Sequence, residues 1–86
     1  MPRISEFFGI VISMYFNDHW PAHFHATYAG DEAVYEIESL EVMRGNLPRR
    51  AHALVVEWSS IHRAELRQNW DRARGGQELS QIEPLD

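Results

Sequence analysis

Apolar positions in the first half of the chain recur at every second residue, the period of a half-buried strand. Phe7 to Phe16 is rich in aromatic and β-branched residues and predicts a first strand. Asn17-Asp18 opens a turn, and Pro21 keeps Trp20 out of helix. His23-Phe24-His25-Ala26-Thr27-Tyr28 reads as a second strand. Gly30-Asp31 turns tightly into a third, from Ala33 to Glu38, and Leu40 to Met43 reads as a short fourth. Two short connections in succession indicate an antiparallel meander.

Beyond Pro48 the period changes to that of a helix, with Ala51, Leu54, Val55, Trp58, Leu66 and Ala73 on one stripe. Pro48 suits a first helical position and Gly75-Gly76 a stop. The pattern therefore predicts one helix over about residues 48–74, roughly 40 Å long at 1.5 Å per residue. Leu79, Ile82 and Leu85 then tuck the tail, 75–86, against the body. The expected architecture is α+β: a three- or four-stranded antiparallel meander over about residues 6–43, with one long helix packed on it, in a single domain spanning 1–86.

Strand alternation assigns Phe8, Ile10, Ile12, Met14, Phe16, Phe24, Ala26, Tyr28, Ala33, Tyr35 and Ile37 to a core face. The opposite face receives Ser13, Tyr15, His23, His25, Thr27, Glu36 and Glu38, mixed with Phe7, Val11 and Val34. Two imidazoles and two carboxylates thus share a surface of adjacent strands. On the helix, His62, Glu65 and Asn69 form a polar row within the apolar stripe. Arg49, Arg63, Arg67 and Arg74 line the other side, either a grip for phosphate or an acidic partner or, as the leading reading, a solvated face paired with Glu57 and Asp71. Trp58 and Trp70 read as core or tail contacts, and Trp20, beside Pro21, as an exposed recognition residue.

Composition narrows the chemistry. None of the 86 residues is cysteine, which excludes disulfides, zinc ribbons and thiol nucleophiles. Thirteen acidic residues face eight basic ones, all arginine, for a net of −5. That balance argues against wholesale nucleic-acid binding and leaves local contacts by the arginine fork. No run of about 18 apolar residues exists to span a membrane, and the N-terminus lacks the order of a secretion signal. A cytoplasmic location is the expectation.

His23-x-His25 on a strand puts two imidazoles on one side, roughly 6–7 Å apart along the backbone. The pair suits a shared divalent metal, with a third ligand from Asp18, His19, Glu36 or His62. The same pair could serve as general acid and base, with Glu36 raising the basicity of one ring. Alternatively, both are half-buried histidines satisfied by backbone and carboxylates in a non-catalytic binding or dimerisation module. His62, Glu65 and Asn69 approach the core face, so unbroken alternation keeps them apart from His23 and His25. A bulge near Gly9 or in the Pro21 loop would change that parity. No serine or threonine stands in a nucleophile motif.

The runs Met1-Pro2-Arg3-Ile4-Ser5-Glu6-Phe7-Phe8-Gly9-Ile10, Met14-Tyr15-Phe16-Asn17-Asp18-His19 and His23-Phe24-His25-Ala26 resemble a small bacterial family, domain of unknown function four-one-six-zero. Gly45 to Arg50, Glu57-Trp58, His62 to Leu66, Asn69-Trp70 and Ile82 to Leu85 extend the resemblance over nearly the whole chain. Asp18, His19, His23 and His25 match its D-H-x-P-x-H-F-H-A signature, and His62, Glu65 and Asn69 match its helix signature. Ala22 stands where the family has a second proline. The resemblance implies a bacterial protein often encoded beside a cognate small protein of the family numbered two-four-four-two. Such pairs are proposed toxin–antitoxin modules with this family as the toxin. It implies no chemistry. The leading expectation is a toxin-like protein acting with that partner through Asp18, His19, His23 and His25, with Glu36 as a supporting carboxylate.

Overall fold

A computed structural model describes residues 2–86; Met1, the first residue of the motif run above, lies outside the described residues. The described residues form five strands, β1 (Arg3–Phe7), β2 (Ile10–Ser13), β3 (His23–Tyr28), β4 (Asp31–Glu36) and β5 (Val42–Gly45), then two helices, α1 (Arg49–Ile61) and α2 (Arg63–Arg74). The strands build one antiparallel sheet in sequence order. The α+β meander is as the pattern predicts, while both element counts need correction.

The first correction lies in Phe7 to Phe16, which is not one strand. Phe8 (φ 51°) and Gly9 (φ 80°) form a two-residue turn, so β1 folds back on β2 with Phe7 opposite Ile10. Both central residues of such a turn need positive φ, a task usually given to Asn-Gly. An aromatic residue in that position hides the hairpin inside an apolar run. Phe8 is consequently at the turn and exposed rather than in the core, and Phe7 is buried. Phe16, also assigned to the core face, is exposed in the turn after β2.

The second correction is to the helix. Ser59 Oγ donates back to the Val55 carbonyl (2.7 Å), and Ser60 Oγ to that of Glu57 (2.8 Å). Serines that bond back in this way to carbonyls of the preceding turn bend helices. His62 leaves helical geometry (φ −110°, ψ 24°) and separates α1 from α2. Pro48 proves to be the residue before α1, with extended ψ, rather than its first helical residue.

Both helices cover the face holding Ile10, Ile12, Phe24, Ala26, Ala33, Tyr35 and Ile37. Trp58 of α1 lies at 5.3 Å from Phe7 and 6.1 Å from Phe24, centroid to centroid. Leu66, Trp70 and Ala73 of α2 complete the cluster. The tail is held at fixed points. Ile82 N–H donates to the Ile4 carbonyl (2.8 Å), Gln81 Nε2 to that of Arg3 (2.7 Å), and Trp58 Nε1 to that of Glu83 (2.8 Å). Asn69 exchanges two 2.8 Å hydrogen bonds with the backbone of Ser80. The edge of β1 is therefore capped by the tail. At the other edge all four residues of β5 are exposed.

Gly45 is required where it stands. A Cβ there would lie 2.2 Å from the Glu32 carbonyl oxygen, and its φ of +71° disfavours any side chain. This close approach lets β5 run beside β4 and brings Arg44 level with Val34.

Candidate metal centre

The register of the sheet sets out a row across its second face: Ser13, His25, Val34 and Arg44 stand side by side on β2 to β5. His23, at the start of β3, is on the same face opposite Glu36. Both histidines are buried, although no helix covers them. The cover is the segment between β2 and β3. Its Tyr15 ring meets His25 edge-on at 4.4 Å, and its Asp18 reaches over both imidazoles. From the side, α2 brings Trp70 within 5.2 Å of the His23 ring.

Asp18 Oδ2 lies 3.0 Å from His23 Nε2 and 3.1 Å from His25 Nε2. The second nitrogen of each ring is anchored elsewhere. His23 Nδ1–H donates to the Pro21 carbonyl at 2.7 Å, and His25 Nδ1–H to Glu32 Oε2 at 3.1 Å. A carbonyl and a carboxylate only accept, so both Nδ1 atoms carry the proton. In the neutral rings both Nε2 lone pairs then face one carboxylate oxygen, three acceptors converging with no donor among them. Two imidazolium rings would supply donors, at the expense of placing two like charges in buried rings 5.5 Å apart. A divalent cation resolves the convergence without that repulsion. Ligand atoms about 2.0–2.2 Å from a metal sit roughly 2.8–3.6 Å from each other at octahedral to tetrahedral angles, a range that includes the Asp18-to-histidine spacing seen here. One donor atom from each of Asp18, His23 and His25 lies within 4.8 Å of the other two. The Pro21 carbonyl and Glu32 are the outer partners that metal-bound histidines ordinarily have.

Tyr15 shares this environment. Burial pushes its phenol up from the usual 10.0, and the charges of Glu32 and Asp18 push it further, so it remains neutral at physiological pH.

Among the residues picked out in the sequence, the structure brings Asp18, His23 and His25 together. His19 is exposed and shares a cavity wall with Asp18 and His23. Glu36 is the cross-strand partner of His23, but its carboxylate accepts the Ser39 hydroxyl at 2.5 Å, and it is Glu32 whose carboxylate meets a histidine ring. The turn falls one residue earlier than expected, which moves the cross-strand pairing by two. The β3–β4 turn is Ala29 (φ 51°) and Gly30 (φ 89°), not Gly30-Asp31. A Gly30-Asp31 turn would have put Glu36 opposite His25; the actual turn puts Val34 there and Glu32 diagonally next to it. Glu38 leaves the histidine face altogether and receives a bidentate Arg67 (2.5 and 2.7 Å), which holds its carboxyl below the ordinary range. Arg63 Nε donates to the Ile37 carbonyl. These arginines are thus tied to the sheet's end rather than to Glu57 and Asp71. His62 and Glu65 pair with each other at the helix break (2.5 Å), and Asn69 holds the tail. None of those three reaches the centre, whereas their neighbour Trp70 does.

No curated protein matches this chain, and no solved structure does. One family model, described as a domain of unknown function (DUF4160), matches residues 9–71, a span that takes in Asp18, His23, His25, Glu32 and Trp70. Covering most of the chain, that match shows that the protein belongs to the DUF4160 family.

Proposed function

We propose that this protein binds a first-row divalent transition metal through Asp18, His23 and His25, and that the centre serves a hydrolytic reaction in the bacterial cytoplasm. The observation that carries the reading is the convergence of two Nε2 atoms on one Asp18 oxygen, each ring turned by its own Nδ1 partner. Two nitrogens and one oxygen suit zinc, iron, cobalt or nickel better than calcium or magnesium. Three protein ligands are the number found in catalytic rather than structural sites. Such a metal, held by Asp18, His23 and His25, would polarise a bound oxygen and lower the pKa of a bound water, and hydrolysis needs no co-reactant beyond water. Isothermal titration of untagged protein with Zn²⁺ should give one site per chain, abolished in His25→Ala with unchanged circular dichroism. Absence of stoichiometric binding, or equal binding by the variant, would sink the reading.

The family resemblance adds a cellular setting, in which the protein is the toxic member of a two-protein pair. The open edge of β5, with Val42 and Met43 exposed, supports a docking role for a partner or a second copy. Growth should stop when the protein is expressed alone and recover with the product of the adjacent gene. His23→Ala should abolish the arrest. Normal growth in every case would remove the toxin reading and leave the metal centre to be judged by titration.

A further inference from the structure

A cavity of about 320 Å³ opens beside the centre, and Asp18 and His23 form part of its wall. The other walls carry chemistry that the metal reading does not use: His19, Trp20, Met43 and Arg44. Arg44 is exposed and has no ion pair among the described residues. It shares the sheet row of His25, two strands away, or roughly 10 Å at the usual strand spacing. A guanidinium placed there can take two oxygens of a tetrahedral anion while a third reaches the metal. Trp20 is 71% exposed, yet its ring is steadied edge-on by Trp70 at 6.3 Å. An indole held in this way offers a flat surface to a planar ring. Met43, also exposed, adds a soft apolar surface that adapts to shape.

Resting on the metal reading, we infer that the substrate of this site is a phosphate ester carried on a flat heterocycle, with the size of one nucleotide. The phosphate lies between Arg44 and the metal, and the ring lies on Trp20. The volume stands at the lower end of the range for small-molecule sites, which suits a single nucleotide. Charge points the same way. A long polyanion requires several phosphate contacts, and a net of −5 opposes it. Arg3 and Arg67 are neutralised by Glu6 and Glu38, Arg63 and Arg72 are held by the Ile37 carbonyl and Ser80, and the exposed Arg49, Arg50 and Arg74 do not line this cavity. The reaction balances with water alone. Its oxygen bonds to phosphorus, the ester P–O bond breaks, and the departing alkoxide takes the proton. Free nucleotide and the end of a single strand present the same chemistry.

The test is binding to Zn²⁺-loaded protein, followed by tryptophan fluorescence and calorimetry, with adenosine monophosphate, adenosine, inorganic phosphate and a 5′-phosphorylated pentanucleotide as probes. The monophosphate should bind at least about tenfold more tightly than adenosine or phosphate. Arg44→Ala should weaken monophosphate and phosphate by about tenfold and spare adenosine. Trp20→Ala should weaken monophosphate and adenosine and spare phosphate. Both variants should bind Zn²⁺ as the parent does, since neither residue is a ligand. Monophosphate binding no tighter than that of its parts, or unchanged by Arg44→Ala, would overturn the inference even with the metal bound. Failure of Zn²⁺ to bind, with the Arg44 and Trp20 effects intact in its absence, would overturn the metal reading and uphold the ring-and-phosphate pocket. A pentanucleotide that outbinds the monophosphate identifies a strand end as the source; equal binding identifies the free nucleotide.

Discussion

On one face of the sheet Ile10, Ile12, Phe24, Tyr35 and Ile37 meet Trp58, Leu66 and Trp70 from the helices; on the other, Ser13, His23, His25 and Val34 are nearly as deep but meet a loop. The helix face is held by apolar area, which is indifferent to direction. The loop face is held by polar groups with fixed partners: Asp18 over two imidazoles, Glu32 and the Pro21 carbonyl behind them. A covering of that kind leaves a side open, and a cavity lies there. Burial by itself thus does not separate a core from a site. What separates them is whether the buried groups are satisfied by area or by geometry.

Substitutions on the two faces should therefore fail differently. The largest loss belongs to Trp58→Ala, which empties a fully buried ring site and frees the Glu83 carbonyl. It should cost about 3–5 kcal/mol in urea unfolding and leave little folded protein to assay. On the loop face, Asp18→Asn separates the two accounts of the histidines. If both Nε2 atoms are lone pairs, the new amide donates to one of them. Stability without metal should then hold or rise by about 0.5–1.5 kcal/mol while Zn²⁺ binding disappears. A loss of about 3 kcal/mol or more would instead mark imidazolium rings paired to the carboxylate.

Glu32→Gln keeps an acceptor for His25 and removes its charge. Zn²⁺ affinity should fall by about 10–100-fold, with the unfolding midpoint little changed, as expected of an outer partner. Tyr35, on the helix face, has its phenol pushed up to about 12 by burial. Its contribution is intact below the unfolded value of 10.0 and is lost as pH rises toward about 12, so alkaline unfolding should begin in that window and ease in Tyr35→Phe. The smallest effect is expected at the sheet's end. The Arg67 pairing holds Glu38 below its ordinary 4.5, so its contribution is complete above that pH and fades below it. Glu38→Gln should remove only this shallow acid dependence, because the pair is exposed and screened.

Much of this was legible in the residue order. Two-residue periodicity up to Glu36 and helical periodicity after Pro48 give the α+β meander, and His23-x-His25 necessarily shares one side of a strand. The hairpin at Phe8-Gly9 was not legible, because Phe8 is no turn residue and an unbroken apolar run hides the change of parity that puts Phe7 on the same face as Ile10. The break at His62 had a signal in Ser59-Ser60, whose hydroxyls bond back to their own helix. Glu32 escaped through a one-residue difference in where the β3–β4 turn falls. Arg44 and Trp70 could not be found from spacing, since they reach the site across strands and from a helix.

The sequence by itself determined the period of each segment, and with it the elements and the side of β3 on which the two histidines project. It also determined the inventory, with no thiol, no lysine and an excess of acid. Only the tertiary structure decided which carboxylate meets the histidines. That choice depends on strand register and on the path of the loop through Asp18, which are settled by positive φ at Ala29 and Gly30, the close approach at Gly45 and the packing of Tyr15 on His25. Local preference fixes what a residue can do. Contact across strands fixes what it does.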